Sequence, residues 1–360
     1  DADVTAPGNW PRILDPACGS GRFLTYALDH VRRKLAAQLY PHEDPLLQDK
    51  RLLANQAQRG LLRQCAGQCL FGIDFDPDLK RASRMNMILN NDGHGNILSL
   101  NSLEFPAMLP QPIGELRRQC ASKPRAEWPD AVRARLDADL GTMDLVFTNP
   151  PFGAGIPVDD PAILKQYDLA HRWTSEGYRW AKTDALQARL APEVLFVERC
   201  VQWVKPGTGR VAIVLPDGIL SNPDAEYIRA WILTHCQVLA SIDLPVEAFL
   251  PQVGVQASLL FLRRKSQQEM DAEVMGHVTD YPVFMAIAET VGHDRRGNPL
   301  YVRDADGADM IFTIEEKVLR RRGGRPVPVP ITRQDRRLDD DLPRIGQAYA
   351  EFLCSGTVPQ

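Results

Sequence analysis

The chain has 360 residues, of which 44% are hydrophobic and 24% are charged, and its formal net charge at pH 7 is −4. This length suits one large α/β domain with an appendage, or two modest domains, and the hydrophobic share argues against wholesale disorder. The mildly acidic balance excludes the strongly basic surface of a typical nucleic-acid binder, so any grip on a nucleic acid has to come from a local patch or from a partner. No apolar run approaches the roughly 18 residues that span a bilayer. The first residues show no basic segment followed by an apolar one, so we expect no signal peptide.

The seven cysteines are odd in number and scattered along the chain. In a chain of this length that favours a reducing cytoplasm over a disulfide framework. Cys65 and Cys69 could lie one helical turn apart, but no second ligand pair follows them, and the histidines form no HxH or HExxH pattern. We therefore expect a cytoplasmic protein without a metal site.

Strands and helices alternate in the first half of the chain. Four short apolar runs that end in loop signals predict strands at 12–15, 69–74, 97–100 and 144–148. Apolar residues at helical spacing predict helices at 22–39, 46–63 and 77–90. Residues 104–142 are rich in Pro, Arg, Asp and Glu, which predicts a surface connection with a short helix at 131–140.

The second half of the chain continues this alternation and then loses it. Polar residues at 153–185, with Gly and Pro early, predict a mobile loop over a site. An amphipathic helix at 192–204 and a helix at 225–236 accompany strands at 209–215, 239–244 and 257–262. The later patterns predict a strand at 283–288, a turn at 295–298, a short return at 300–302, a basic linker at 320–326 and a terminal helix at 342–353.

Together these elements predict an α/β fold, a mostly parallel sheet with helices on both faces. We place the main domain at 1–265 and a small C-terminal extension at 266–360. Ligands of such sheets gather at the carboxyl ends of the strands. The segments that follow Leu14, Ile73, Leu100 and Thr148 all lie at that edge, which is where we expect the site.

A glycine-rich loop follows the first strand. Ala17-x-Gly19-x-Gly21 allows a sharp turn close to a ligand, and the helix that begins next points its free N–H groups at that ligand. The third glycine of the dinucleotide fingerprint is missing, and the absence of GKS or GKT excludes a triphosphatase P-loop. Asp15 is expected to cap the loop, which is compatible with ligand contact through water. Cys18 is expected to turn its side chain aside, since no base lies next to it to make it a nucleophile.

Asp74 ends the second strand. A carboxylate there can accept hydrogen bonds from both hydroxyls of an adenosyl ribose. The stretch from Gly21 to Asp74 exceeds the ~20 residues of a minimal βαβ unit, which an inserted helix would explain. The alternative is that Asp74 is only a strand-end or turn acid.

The segment Asn149-Pro150-Pro151-Phe152 directly follows the fourth strand. The exocyclic amine of adenine is a poor nucleophile, and the Asn149 side-chain oxygen and the Pro150 carbonyl can accept both of its hydrogens. The prolines hold these acceptors still, and Phe152 offers a face on which a flipped base can stack. The alternative is a simple strand-end turn. Together with the glycine-rich loop, this clamp indicates methyl transfer from S-adenosylmethionine to an exocyclic nitrogen.

Three segments resemble the N6-adenine DNA methyltransferases: Asp15-Pro16-Ala17-Cys18-Gly19-Ser20-Gly21-Arg22-Phe23-Leu24, Phe71-Gly72-Ile73-Asp74 and Asn149-Pro150-Pro151-Phe152. Later segments are similar to the modification subunit of type I restriction systems, namely Lys205-Pro206-Gly207, Val214-Leu215-Pro216-Asp217-Gly218 and Ile242-Asp243-Leu244-Pro245. The resemblance covers about residues 10–265, and we expect it to extend into residues 283–302. It implies a Rossmann-like methyltransferase fold with a seven-stranded sheet whose last strand is reversed.

The resemblance also implies the site residues. The target adenine would be held by Asn149, Pro150, Pro151 and Phe152. The cofactor S-adenosylmethionine would be bound by Asp15, Pro16, Ala17, Cys18, Gly19, Ser20, Gly21, Phe23, Asp74, Phe75, Asn101 and Ser102. In the family an acidic residue usually follows the third strand where Asn101 stands here. An Asn oxygen can accept the same hydrogen bond, with less strength.

The resemblance further implies partners: DNA, a specificity subunit that chooses the sequence, and a restriction or helicase subunit. Relatives carry a helical domain ahead of the first motif, and only eleven residues precede Arg12, so we expect that domain to be missing here. RNA or a protein glutamine amide could offer an NH2 to the same clamp, and a non-catalytic cofactor-binding scaffold is a further alternative. The basic run at 320–325 either contacts phosphates or is a solvated linker, and we favour the linker.

Overall fold

The computed structural model describes residues 10–90, 96–104, 140–153, 155–177, 179–251 and 254–355. The connection predicted at 104–142, with its helix, lies largely outside these residues. The strands are β1 (Ile13–Asp15), β2 (Leu70–Asp74), β3 (Asn96–Ser99), β4 (Leu145–Thr148), β5 (His171–Glu176), β6 (Arg179–Leu186), β7 (Arg210–Pro216), β8 (Cys236–Leu244), β9 (Ala257–Arg264), β10 (Phe284–Ile287), β11 (Ile311–Arg322) and β12 (Arg325–Arg336).

The helices are α1 (Arg22–Leu39), α2 (Pro45–Ala54), α3 (Gln56–Cys69), α4 (Pro77–Leu89), α5 (Pro161–Leu164), α6 (Pro192–Trp203), α7 (Asp217–Ser221), α8 (Glu226–His235), α9 (Gln267–Val274) and α10 (Leu342–Ser355). Two short 3₁₀ turns cover Pro223–Ala225 and Val246–Phe249. Among the helices of the described residues, none combines the length and the apolar character needed to cross a membrane.

Eight strands form one sheet in the order β10-β8-β9-β7-β4-β1-β2-β3. Strand β9 runs antiparallel to β7 and β8, and the other neighbours in this sheet are parallel. The predicted mostly parallel sheet and its reversed strand are confirmed. The sheet has one strand more than the expected seven, because β10 pairs in parallel with β8. Strand β10 belongs to the predicted C-terminal extension, yet it pairs with the sheet of the main domain. The domain boundary at residue 265 stays a prediction.

Helices cover both faces of the sheet, as predicted. Side chains alternate between the two faces along each strand. Leu14 and Phe71 pack into one core cluster with α6 and α8, whereas Ile13 and Leu70 pack into another with α1 and α3. A third cluster joins α10 to the outer strands β8 and β10. The sheet is therefore buried on both sides, and its loop edges are left for a site.

The predicted helix at 46–63 is wrong, since two helices occupy this stretch. Asn55 separates α2 from α3, and its extended backbone breaks the helical run. Its side-chain oxygen accepts hydrogen bonds from the N–H groups of Ala57 and Gln58, which makes it the N-cap of α3. The sequence signal was available, because Asn is among the most favoured N-cap residues.

The predicted mobile loop at 153–185 is also wrong, because this segment contains α5 and an antiparallel hairpin of β5 and β6. The hairpin lies against α8, because the rings of Trp173 and Trp180 pack against the Tyr227 ring. The distances between the ring centroids are 6.2 Å for Trp173 and 6.4 Å for Trp180. The Trp173 indole N–H also donates to the Asp168 carbonyl at 3.1 Å. Tertiary aromatic contacts thus fix a segment that looks like a polar loop in the sequence.

The amphipathic character predicted for 192–204 is wrong as well. Every residue of α6 except Gln202 is buried, including the charged residues Glu198 and Arg199. A helix that is enclosed on nearly all sides lies inside the core rather than on its surface. Helix α6 is therefore a core helix, packed in the same cluster as Leu14 and Phe71 of the sheet.

The basic linker predicted at 320–326 is instead the end of a long hairpin. Strands β11 and β12 pair over their full length, from Ile311 opposite Arg336 to Arg322 opposite Arg325. Gly323 and Gly324 form the turn, with φ of 56° and 79°. Two residues with positive φ between paired strands are the mark of a type I′ hairpin turn, for which consecutive glycines are a recognised sequence signal.

Candidate functional site

The carboxyl ends of β1, β2, β3 and β4 surround a cavity of ≈ 450 Å³. Nine of the predicted site residues line it: Pro16, Ala17, Gly19, Asp74, Phe75, Asn101, Ser102, Asn149 and Pro151. The glycine-rich loop and the clamp segment thus share one open space. Its remaining lining is apolar and comes from Leu79, Leu100, Leu103, Ile156, Pro192 and Phe196.

The glycine-rich loop is held from behind by side chains of other elements. Asn86 of α4 donates its amide to the Ser20 carbonyl at 2.8 Å, and the buried Ser102 hydroxyl donates to the Pro16 carbonyl at 2.5 Å. Gly19 has φ of 52°, and a Cβ at this position would meet nothing within 4 Å. The loop is therefore fixed in place while its front, at Gly19, faces open space.

Asp74 bridges the loop and the start of α4. Its two carboxylate oxygens accept the N–H of Gly19 and the N–H of Asp76, each at 2.8 Å. Each carboxylate oxygen has two acceptor positions, so both keep one for a ligand. Asp74 thus holds this turn and at the same time lines the cavity, so its role toward a ligand stays a prediction.

Asp15 is 1% exposed and accepts the Ala17 N–H at 3.2 Å. Burial raises its pKa from 3.8 to about 7, and the Thr148 hydroxyl and the Ala17 N–H offset only part of this effect. Glu198 of α6 behaves alike, since burial raises its pKa to about 7 although the N–H groups of Asp168 and Leu169 donate to it. Both carboxyls are poised to hold a proton near neutral pH.

These two carboxyls make stability depend on pH. The folded state holds their protons more tightly than the unfolded chain, so the free energy of unfolding should fall as pH rises from about 4 to 7 and then level off. Asp15→Asn, which keeps the accepting oxygen, should flatten this dependence by up to about 1 kcal/mol per pH unit where it is steepest. Urea unfolding at a series of pH values measures it. An unchanged slope in both Asp15→Asn and Glu198→Gln would contradict the expectation.

The clamp segment begins where β4 ends, at Thr148. Asn149 is exposed to the cavity, and among the described residues its side-chain amide has no hydrogen-bond partner. Behind it the Gly153 N–H donates to the buried Glu193 carboxylate at 3.2 Å, which ties the end of the segment to α6. The Phe152 ring packs edge-on against Phe249 with centroids 6.2 Å apart. The segment is anchored at both ends and leaves the Asn149 amide available.

The segment Asn101–Leu103 forms a wall of the cavity. The Tyr167 hydroxyl donates to the Leu103 carbonyl at 2.6 Å and accepts from Arg199 Nε at 2.8 Å. Arg199 also donates to the Leu103 carbonyl at 3.4 Å, and its guanidinium lies 4.6 Å from the centroid of the Tyr167 ring. Tyr167 and Arg199 are nearly fully buried. A buried polar network therefore fixes this wall from the side of the insertion after the clamp.

Several predicted site residues do not line the cavity. The Cys18 thiol points toward the Ser83 hydroxyl at 3.8 Å, so its side chain is turned aside as expected, and burial raises its pKa. Phe23 is directed elsewhere, because its ring packs edge-on against Phe147 with centroids 5.4 Å apart. Gly21 is also outside the lining, and Asp15, Ser20, Pro150 and Phe152 are chain neighbours of lining residues rather than part of the cavity surface.

Sequence reasoning missed the residues that support the site from behind. Glu193, Tyr167 and Arg199 gave no motif, since each of them holds a backbone group that lies far away in the chain. One signal was present: the Glu198-Arg199 pair lies within an otherwise apolar run. Charged residues on a helix that is apolar all round indicate buried charges with dedicated partners.

A profile of the N-6 DNA methylase family matches residues 2–304 of the chain. A type I restriction enzyme methylase subunit, EcoEI, of Escherichia coli is 24% identical over 257 residues, which cover 70% of this chain and 38% of that protein. A modification subunit of a putative type I restriction enzyme from Vibrio vulnificus is 24% identical over 71% of this chain and 40% of its own, with a TM-score of 0.46. A putative class I S-adenosylmethionine-dependent methyltransferase from Listeria monocytogenes is 18% identical over 79% of this chain and 60% of its own, with a TM-score of 0.44.

The chain therefore spans about two fifths of the length of the Escherichia coli and Vibrio relatives. The family profile covers much more than half of the chain and includes the glycine-rich loop, Asp74 and the clamp segment. By this match the chain belongs to the N-6 DNA methylase family.

Proposed function

We propose that the chain is the catalytic core of a DNA methyltransferase that transfers a methyl group from S-adenosylmethionine to the N6 amine of adenine. The observation that carries this proposal is that Gly19, Asp74 and Asn149 line the same cavity. A cofactor loop and an amine clamp have to share one space for a methyl group to pass between their ligands. Membership of the N-6 DNA methylase family supports the same reaction.

The cavity suits the proposed cofactor in shape and in chemistry. The open space in front of Gly19 admits a ligand close to the backbone, and no side chain caps the N-terminus of α1, so its first N–H groups can meet a carboxylate. The free acceptor positions of Asp74 suit a ribose diol. Leu79, Leu100 and Leu103 offer apolar surface for an adenine ring. Bound there, S-adenosylmethionine would supply an electrophilic methyl group on its sulfonium.

The clamp would then prepare the amine. The Asn149 oxygen and the Pro150 carbonyl would accept the two N–H hydrogens of the target amine, which favours a tetrahedral nitrogen with an available lone pair. Anchoring of the segment through Gly153 and Glu193 keeps the acceptors in place before the base arrives, so little reorganisation is needed during transfer. Phe152, edge-on to Phe249, would support the flipped base.

The partners follow from the relatives as part of this proposal. The Escherichia coli relative is a methylase subunit of a type I restriction enzyme, so we place this chain in a restriction–modification or phage-defence complex. DNA would be the substrate, a specificity subunit would choose the sequence, and a restriction or helicase subunit could complete the complex.

The test of the function is transfer of a tritiated methyl group from labelled cofactor by the full-length protein with its partner subunit. We expect label in duplex DNA, recovered as N6-methyladenine after hydrolysis to nucleosides. Parallel reactions with RNA and with a glutamine-containing peptide separate the alternative substrates. Label on cytosine, or on RNA or peptide but not on DNA, would refute the proposal.

Tyr167→Phe should weaken cofactor binding and leave the maximal rate nearly unchanged. The variant keeps the ring and removes only the hydroxyl that holds the Leu103 carbonyl. Loss of such a buried hydrogen bond costs about 1–2 kcal/mol, which corresponds to a rise of roughly 5–30-fold in the KM for the cofactor if the wall loosens. Steady-state kinetics with the cofactor varied measure it. A lower kcat at unchanged KM would show that Tyr167 does not act through the cofactor wall.

A further inference from the structure

The hairpin of β11 and β12 lies outside the part of the chain that the family profile matches, which ends at residue 304. It is a ribbon of two strands with 12 residues each. Such a ribbon does not persist without support, because an isolated two-stranded hairpin is marginal in water. Contacts with other parts of the protein therefore have to support the ribbon.

The body of the ribbon is tied to the rest of the protein. The Lys317 ammonium pairs with the Asp44 carboxylate at 2.6 Å, and Asp44 also caps the N-terminus of α2. At the base the Arg336 guanidinium lies 4.0 Å from the centroid of the Tyr301 ring and pairs with Asp309 at 3.0 Å. These contacts attach the ribbon to the rest of the protein as far as Lys317, and residues 320–325 at its end are exposed.

The free edge of β12 cannot recruit another strand. Pro326, Pro328 and Pro330 occupy every second position, and alternate residues of a strand direct their backbone groups to the same side. Proline has no N–H to donate, so this edge lacks three donors that strand pairing would need. The ribbon is therefore protected from edge-to-edge pairing, and addition of a peptide strand to β12 is not its function.

The end of the ribbon concentrates positive charge. Arg320, Arg321, Arg322 and Arg325 are all exposed, and within the described ranges none of them forms an ion pair. Arg322 and Arg325 lie directly opposite each other, an arrangement of like charges that destabilises a hairpin. By contrast, Arg333 and Arg336 farther down the ribbon both have carboxylate partners. The four unpaired guanidinium groups, which we call the arginine tip, face solvent on a chain whose net charge is −4.

We propose that the arginine tip binds the phosphate backbone of duplex DNA at a second place, outside the cavity. The guanidinium fork matches phosphate oxygens, and a phosphate between Arg322 and Arg325 would relieve their repulsion. A two-stranded ribbon is also narrow enough to follow a groove of the duplex. The inference rests on the proposed function, because DNA is the polyanion on which that reaction takes place. The contact would give grip without sequence preference.

The test compares two double variants that remove the same charge. Arg322→Gln with Arg325→Gln changes the tip, whereas Arg63→Gln with Arg84→Gln removes two exposed arginines on α3 and α4. The dissociation constant of a fluorescent duplex is measured by anisotropy for the full-length chain at several salt concentrations. Each lost phosphate contact lowers the slope of log K against log salt by about 0.9, so the tip variant should lose roughly 2 from the slope and bind about tenfold more weakly at low salt. The control should keep the wild-type slope.

A charge-preserving variant sharpens the result. Arg322→Lys with Arg325→Lys should keep most of the salt slope, since each lysine still neutralises a phosphate as a point charge. Methyl transfer at saturating DNA should persist in all variants, because the tip does not line the cavity. Equal slopes for the tip variant and the wild type, with DNA bound, would overturn the tip proposal alone. A wild-type protein that bound DNA and methylated nothing would instead count against the proposed function.

Discussion

Asn149→Ala should reduce methyl transfer by about 10²–10³-fold, the loss typical when one preorganised hydrogen-bonding group of a catalytic site is removed. The Asn149 side chain faces the cavity, and its amide forms no hydrogen bond with another described residue. The variant therefore removes a hydrogen-bond acceptor without breaking a hydrogen bond of a neighbouring residue. The glycine-rich loop is held by Asn86 and Ser102, and neither contact involves Asn149. Single-turnover rates with labelled cofactor should fall, whereas calorimetric titration with S-adenosylhomocysteine should give an unchanged dissociation constant.

Asn149→Asp provides the matched comparison. It keeps an oxygen of nearly the same size and position, so it should retain more activity than Asn149→Ala if acceptance of the amine hydrogens is what matters. Wild-type rates in Asn149→Ala would remove the clamp from the mechanism. A loss of S-adenosylhomocysteine binding equal to the loss of rate would assign Asn149 to the cofactor rather than to the target base.

The sheet, and the meeting of the glycine-rich loop and the clamp segment at one of its edges, were predictable because each relies on a local pattern. Strands buried on both faces read as continuous apolar runs, as in the residues up to Asp15 and up to Asp74. The glycine spacing at Gly19 and Gly21 reports a backbone with positive φ, which the structure has at both residues. Since β1 and β2 pair in parallel, their carboxyl ends lie side by side, and this follows from the strand assignment alone.

The rest depended on contacts that distant residues make. The insertion after Phe152 is polar in sequence, and only the stacking of Trp173 and Trp180 on Tyr227 gives it a fixed form. The support of the wall by Tyr167 likewise ends on a backbone carbonyl, which carries no sequence signal. The long hairpin, by contrast, was predictable, because the turn-forming pair Gly323-Gly324 stands in the sequence between its two strands.

Gly21→Ala should destabilise the protein by about 3 kcal/mol and abolish most cofactor binding. Gly21 has φ of 78°, a conformation that costs any residue with a Cβ about 1–2 kcal/mol. An added Cβ would also lie 2.3 Å from the hydroxyl oxygen of Ser83, which is fully buried. Relief of this overlap has to move the loop away from α4, and the loop carries Gly19 and the N-terminus of α1 with it. Urea unfolding and titration with S-adenosylhomocysteine measure the two losses.

Two further variants separate the causes of this loss. Gly60→Ala lies inside α3, where an added Cβ meets nothing within 4 Å, and should be neutral or stabilising by up to about 1 kcal/mol. Adding Ser83→Ala to Gly21→Ala removes the oxygen at 2.3 Å and leaves the Cβ of residue 83 at 3.2 Å. The double variant should therefore recover most of the loss due to the overlap and keep the part due to the backbone. If adding Ser83→Ala restored neither stability nor cofactor binding, the contact between the glycine-rich loop and α4 would be ruled out as the cause of the loss.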